Sequence, residues 1–384
     1  MISLKPRYRF VYLATFLLSL HYAVTIYINS TFLGTHFDQT IIEHLYIAGA
    51  ILTMFCLIWS SRVIHWFGNY KLVLFGIILE IAALSTLALS TNRLAIMLAF
   101  ICYQALPPLL AFGLDIFFEG SLVTMRDAEK VRSYYLTFGN IAFVLAPLAA
   151  GALVNQGSFS SVYTLSAVCI ALLWFLIFDL FSELKPKRFR EIGFINSLRK
   201  FVQRKSLPGI MALNFLLQSF YAVMIIFNVP HLHNTIGLSF ASIGIILTFQ
   251  LLPFVIFEAP LGKLFSRYHD ERQFLLAGFF ILAAATITIA HMETKSIFLW
   301  ALILFISRIG ASFVEVSTEA AFFKRITDQD AGLIGVFRLA APSSYIVVPL
   351  ILSLFVPALS IVTLYSTLAC VLLFGIVIAY KVSL

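Results

Sequence analysis

Charge is scarce in this chain. Only 11% of its 384 residues are Asp, Glu, Lys or Arg, against about 25% in soluble domains, and that excludes an ordinary solvated globule. Cysteine is scarcer still. The four, Cys56, Cys102, Cys169 and Cys370, stand alone in separate apolar runs without CxxC spacing or a neighbouring histidine cluster, so neither a disulfide framework nor a metal site is expected. A GxxxxGK[ST] loop is missing, as are HExxH and GxSxG elements, and with them the signatures of nucleotide hydrolysis, zinc proteolysis and serine hydrolysis. An SxxK match at Ser182 to Lys185 lacks its companion motifs and carries no weight. The expectation is a protein with no cofactor and no catalytic residue.

What the chain has is apolar length. Hydrophobic residues make up 61% and the mean hydropathy is +0.98. A helix needs about 20 apolar residues to cross a bilayer. Such runs occur at roughly 10–33, 43–64, 71–90, 93–118, 132–154, 160–181, 208–230, 241–262, 272–291, 296–319, 331–355 and 358–381, numbered spans 1 to 12 below. They do not alternate with period 2, so a closed barrel, the other fold that satisfies its backbone in lipid, is excluded. Span 1 follows Lys5, Arg7 and Arg9 as a signal peptide would, but its length and its polar C-terminal flank mark a retained helix.

The net charge is +8. If the N-terminus is cytoplasmic, 22 of the 26 Lys and Arg fall in inside loops and only Arg93 and Lys295 in outside ones. That is the positive-inside pattern. It predicts a multi-pass protein of the plasma (inner) membrane with both termini cytoplasmic, its excess charge facing anionic lipid rather than nucleic acid.

The longest connection, 182–207, carries eight of those cations and leaves an N-terminal six-helix bundle at 1–181 and a C-terminal one at 208–384. The two halves repeat each other. FLLSLHYAVTIYIN, residues 16–29, and FLLQSFYAVMIIFN, residues 215–228, agree at eight of fourteen positions, including Tyr22 with Tyr221 and Asn29 with Asn228. Acid pairs four apart recur in spans 4 and 10, Asp115 with Glu119 and Glu315 with Glu319, and Pro147 recurs as Pro349. Each half has an even number of spans, so the repeat is parallel, as in transporters that alternate access around a midplane site.

Twelve spans, a 6+6 duplication and a basic central linker together resemble the major facilitator superfamily along the whole chain. The loop between spans 2 and 3, Ser61 to Lys71, is similar to that family's GxLaDrxGrrk at Gly68 and Lys71, with His65 where the family has Asp. Gly262 to Arg267 is its repeat copy, with Ser266 for Asp. Gly139 to Gly151, GNIAFVLAPLAAG, is similar to the antiporter-associated span 5 pattern. The resemblance implies an all-α polytopic membrane protein of two six-helix bundles, a monomer, in which spans 1, 4, 7 and 10 line a central cavity and spans 3, 6, 9 and 12 lie outside.

A charge at mid-membrane costs about 2.5–3.5 kcal/mol on insertion scales, so polar residues there need a reason. His21, Gln104, Gln218 and Arg308 lie one each near the middle of the four lining spans. With Tyr22 and Tyr221 they are the expected substrate-binding residues, and Tyr103, Asn140, Asn214 and Gln250 are their neighbours. His21, whose imidazole ordinarily titrates near pH 6.5, Glu80 in span 3 and Glu315, two turns beyond Arg308, are the expected proton-coupling groups. The acid pairs fall at the cytoplasmic ends of spans 4 and 10, where the helix dipole disfavours carboxylates. They are expected to form a cytoplasmic gate: Asp115, Glu119 and Arg132 in one half, Glu315, Glu319 and Arg338 in the other.

The expected function is secondary active transport of a small molecule, coupled to protons or another ion, with the span 5 stretch favouring export of an amphiphilic compound. Proton-coupled uptake of a polar or anionic solute is the alternative. A lipid flippase, a non-transporting sensor or a membrane-embedded transferase are the readings from other classes.

Overall fold

A computed structural model describes residues 6–121, 125–155, 158–180, 193–268, 271–326, 331–355 and 360–382. The chain divides into two compact units, Met1–Glu191 and Ile192–Leu384. Twelve helices among the described residues are long and apolar enough to cross a membrane. In the first unit spans 1 to 6 are Arg9–Gly34, Gln39–Ser60, Asn69–Leu89, Arg93–Phe117, Tyr134–Asn155 and Phe159–Asp179. In the second, spans 7 to 12 are Leu207–Thr235, Phe240–Phe257, Glu271–Ala290, Ile297–Phe323, Gly332–Leu352 and Ile361–Lys381. Span 7 runs five residues past its sequence-based end, because the polar segment His231–Thr235 stays helical as a wide π turn.

Short polar caps start several of these helices. Asp38, Ser296 and Ser360 accept backbone N–H bonds from Ile41, Leu299 and Thr363, satisfying donors that the first turn leaves open. Gly68 ends span 2 at φ +80°, a backbone conformation that a side chain resists. That turn gives a physical reason for the glycine of the loop motif.

The packing inside each unit follows one scheme. Span 1 packs on spans 4, 5 and 6, span 3 on spans 4 and 6, and span 2 on span 4. In the second unit span 7 packs on spans 10, 11 and 12, span 9 on spans 10 and 12, and span 8 on span 10. Every principal contact of one unit thus recurs in the other, which extends the duplication from sequence to tertiary structure. Spans 9 and 10 approach backbone to backbone. A Cβ built on Gly278 would lie 2.8 Å from the carbonyl oxygen of Gly310, and one on Gly310 2.7 Å from that of Gly278, so small residues set the interhelical distance.

The first helix of each unit is irregular at matching positions. Span 1 breaks at residues 27–28, after Thr25 Oγ1 bonds back to the carbonyls of His21 and Tyr22, a local bond that bends helices. In span 7 a π turn, Met224–Asn228, covers the equivalent residues. Wide turns of this kind concentrate at functional sites.

The C-terminal part of the linker is helical, Phe194–Gln203, and docks on its own unit. Phe201 packs with Leu207, Ile210, Phe322, Leu333 and Phe337.

Candidate functional site

Each unit buries one polar cluster around the irregular part of its first span. In the first unit His21, Thr25 and Asn29 follow one another at four-residue spacing, which keeps them on one helix face. Tyr103 of span 4 meets two of them, hydrogen bonding Thr25 Oγ1 and accepting from Asn29 Nδ2 at 3.4 Å. Tyr163 of span 6 donates to Asn29 Oδ1 at 2.8 Å, and Ser166 donates to the His21 carbonyl at 2.7 Å. Ser30 and Tyr46 bond each other at 2.9 Å.

His21 and Glu80 stand at the floor of this cluster, both 0% exposed, with Nε2 3.4 Å from Oε1. The span 3 carboxyl, placed by resemblance on an outer helix, has span 1 as its partner. The imidazole Nδ1 bonds the Leu18 carbonyl, an oxygen that can only accept, so Nδ1 carries the hydrogen. Nε2 then either carries a second hydrogen toward a carboxylate or turns its lone pair to a carboxylic acid. In the structure Nε2 and both Glu80 oxygens have no hydrogen-bond partner among the described residues, and in each arrangement one shared proton leaves the pair net neutral. With no proton there, a nitrogen lone pair would face a buried anion, which a low-dielectric interior strongly opposes.

In the second unit the cluster centres on Arg308 of span 10, 2% exposed. Its guanidinium lies 5.0 Å from the ring centre of Phe220 and 5.3 Å from that of Tyr221. Nε and Nη1 have no hydrogen-bond partner among the described residues. A guanidinium offers five donors and no acceptor, so both of its bidentate edges hold an unsatisfied N–H. The Tyr221 hydroxyl donates to Glu315 Oε2 at 2.7 Å. The same tyrosine therefore touches the cation with its ring and the acid with its hydroxyl, linking the two residues that the sequence places two helical turns apart. Toward the far end of span 7, Tyr365 donates to Asn228 Oδ1 at 3.5 Å, and His231 sits edge-on to Trp300 and Tyr365.

The remaining expected residues are distributed as follows. Tyr22 is half-buried against Phe143. Gln104 sends Nε2 to the Tyr46 carbonyl at 3.4 Å, and it packs so closely on Gly49 that a Cβ there would lie 2.2 Å from its Oε1. Its Oε1 has no hydrogen-bond partner among the described residues. Gln218 reaches Asn214 one turn back at 3.4 Å. Gln250 is fully buried, and both its amide atoms lack a hydrogen-bond partner among the described residues. Asp115 accepts from the Tyr135 hydroxyl at 3.1 Å. Glu319 and Arg338 are exposed. The side chains of Glu119 and Arg132 lie outside the described residues.

Contributors not singled out from sequence include Thr25, Ser166, Tyr163, Phe220 and Tyr365. For the tyrosines a signal existed, since they occupy the same repeat offset, 202, as Pro147 and Pro349. Each is bonded to the equivalent asparagine of its own unit.

The Major Facilitator Superfamily model matches residues 210–383. A search of curated protein sequences finds no match. Among solved structures, the nucleoside transporter NupG aligns over 98% of this chain and 99% of its own, with a TM-score of 0.78 at 14% identity. A variant of that transporter aligns over 97% and 98%, with a TM-score of 0.77 at 13% identity. The second unit thus matches the Major Facilitator Superfamily model, and the chain shares, over nearly its whole length, the fold of that nucleoside transporter, with twelve helices among the described residues long and apolar enough to cross a membrane.

Proposed function

We propose that this protein is a secondary transporter that moves a small anionic or strongly polar solute together with one proton by alternating access. The observation that carries the reading is Arg308, a permanently charged guanidinium buried among aromatic rings with donors left open. A buried cation of this kind costs several kcal/mol unless something compensates it, and a solute carboxylate or similar acceptor supplies that compensation while bound. The flanking faces of Phe220 and Tyr221 favour a solute with a flat or apolar portion.

The His21–Glu80 pair supports the proton as the coupling ion, since its geometry accommodates a single proton exchanged between two neutral arrangements. Export was favoured by the Gly139–Gly151 stretch. Gly139 has a different explanation: a Cβ there would come within 3.2 Å of Ser19 Oγ, so the glycine serves contact with span 1 of the same unit. Uptake by symport is accordingly the reading adopted. The acid pairs, Asp115 with Glu119 and Glu315 with Glu319, retain their assignment as the cytoplasmic gate. The placement of Lys and Arg supports cytoplasmic termini in an inner or plasma membrane.

The fold is shared with a nucleoside transporter, so nucleosides belong beside carboxylates and phosphates in the test panel. Thermal unfolding of purified protein is measured against that panel, for the native chain and for Arg308→Gln. Stabilisation by anionic compounds that the variant loses is expected. Stabilisation that persists undiminished in Arg308→Gln would remove Arg308 from the binding site.

A further inference from the structure

The helix Phe194–Gln203 has two apolar faces and only one of them is covered. Phe201 and Ser197 are buried against the unit, while Ile195, Leu198 and Val202, spaced to share one side, are 79%, 42% and 63% exposed. The residues it packs on, Leu207, Phe322 and Leu333, stand at the ends of spans 7, 10 and 11. The helix therefore lies at the edge of the membrane-spanning region, on the side where those three spans end. Arg199, Lys200 and Lys205 are exposed, and no acidic residue occurs from 193 to 206. Arg204 turns back and donates to the Arg325 carbonyl at 2.7 Å, tying the helix to the end of the span that carries Arg308.

We propose that this helix is a docking surface for anionic phospholipid. Ile195, Leu198 and Val202 enter the boundary between headgroups and acyl chains, and Arg199, Lys200 and Lys205 engage lipid phosphates. Amphipathic helices with basic flanks occupy that depth in a bilayer. Each basic side chain at an anionic surface contributes about a fivefold gain in affinity. The bond from Arg204 gives the bound lipid a mechanical connection to span 10. The proposal does not depend on which solute is carried.

Single cysteines at 195, 198, 202, 196, 199 and 203 are introduced into full-length protein whose native cysteines are serine, spin-labelled, and placed in vesicles of phosphatidylcholine with phosphatidylglycerol. Labels at 195, 198 and 202 should collide more with dissolved oxygen than with a water-soluble nickel chelate, and labels at 196, 199 and 203 the reverse. Water-like behaviour at all six positions overturns the proposal. In detergent, added phosphatidylglycerol should raise the unfolding temperature more than phosphatidylcholine does. The triple variant Arg199→Gln, Lys200→Gln, Lys205→Gln should need at least tenfold more phosphatidylglycerol for the same rise. An equal response to the two lipids, or full reproduction of the effect by inorganic phosphate, contradicts a lipid surface.

Discussion

Replacing Glu80 with glutamine separates coupling from binding. Glutamine keeps the shape of the side chain, and its amide N–H can donate to His21 Nε2, so the buried pair stays neutral. The expected cost in stability is within about 1 kcal/mol, the net worth of one hydrogen bond. What disappears is the proton that the proposal assigns to the pair, whose Nε2 and Oε1 lie 3.4 Å apart. One proton per cycle fixes the magnitude: a difference of one pH unit is worth about 1.4 kcal/mol per proton and sustains about tenfold accumulation. A monovalent anion that travels with one proton carries no net charge, so a membrane potential adds nothing. A neutral solute would instead gain about 2.3 kcal/mol per 100 mV. In proteoliposomes, native protein should accumulate the solute about tenfold across one pH unit. Glu80→Gln should still exchange labelled for unlabelled solute but reach no more than equal concentrations on the two sides. Undiminished accumulation by Glu80→Gln would refute the assignment of the proton, and loss of exchange in a folded variant would make the pair structural.

Other perturbations test the frame around these groups. Gly310→Ala pushes a methyl group onto the Gly278 carbonyl, a backbone atom that cannot step aside, and should cost about 1–3 kcal/mol, as overpacking does, read by chemical denaturation in detergent. Tyr163→Phe removes the donor at 2.8 Å from Asn29 Oδ1 and should cost about 1–2 kcal/mol. Tyr365→Phe, whose bond to Asn228 is 3.5 Å, should cost clearly less in the same assay. Asp115→Asn combined with Glu315→Gln should increase the labelling of cysteines introduced at the C-terminal ends of spans 4 and 10, and unchanged labelling would count against the gate.

The spans were legible because lipid leaves a helix no alternative to long apolar runs, and the duplication because Tyr22 and Tyr221, or Asn29 and Asn228, keep their register through otherwise featureless hydrophobic sequence. Arg308 was legible for the opposite reason, as a charge where charge is expensive. The partner of Glu80 was not legible. The 58 residues between it and His21 contain no periodicity that links them, and only packing within the first unit brings the two together. Gln104 sends Nε2 to the Tyr46 carbonyl and packs on Gly49, contacts that its position in span 4 does not reveal in the sequence. The extension of span 7 through His231–Thr235 escaped hydropathy because its residues are polar. They remain helical because their backbone bonds close locally, as the bond from Ile236 N to the His231 carbonyl shows.

The central claim, that an anionic solute crosses the membrane while held by Arg308, is tested most directly by uptake. A compound that stabilises the purified protein is presented, radiolabelled, to proteoliposomes of native protein, of Arg308→Gln, and to vesicles without protein. Saturable uptake by native protein alone, at least tenfold above the other two, is the predicted result. Uptake by native protein no faster than by empty vesicles, despite binding, would contradict it and make this chain a sensor that binds its ligand without carrying it.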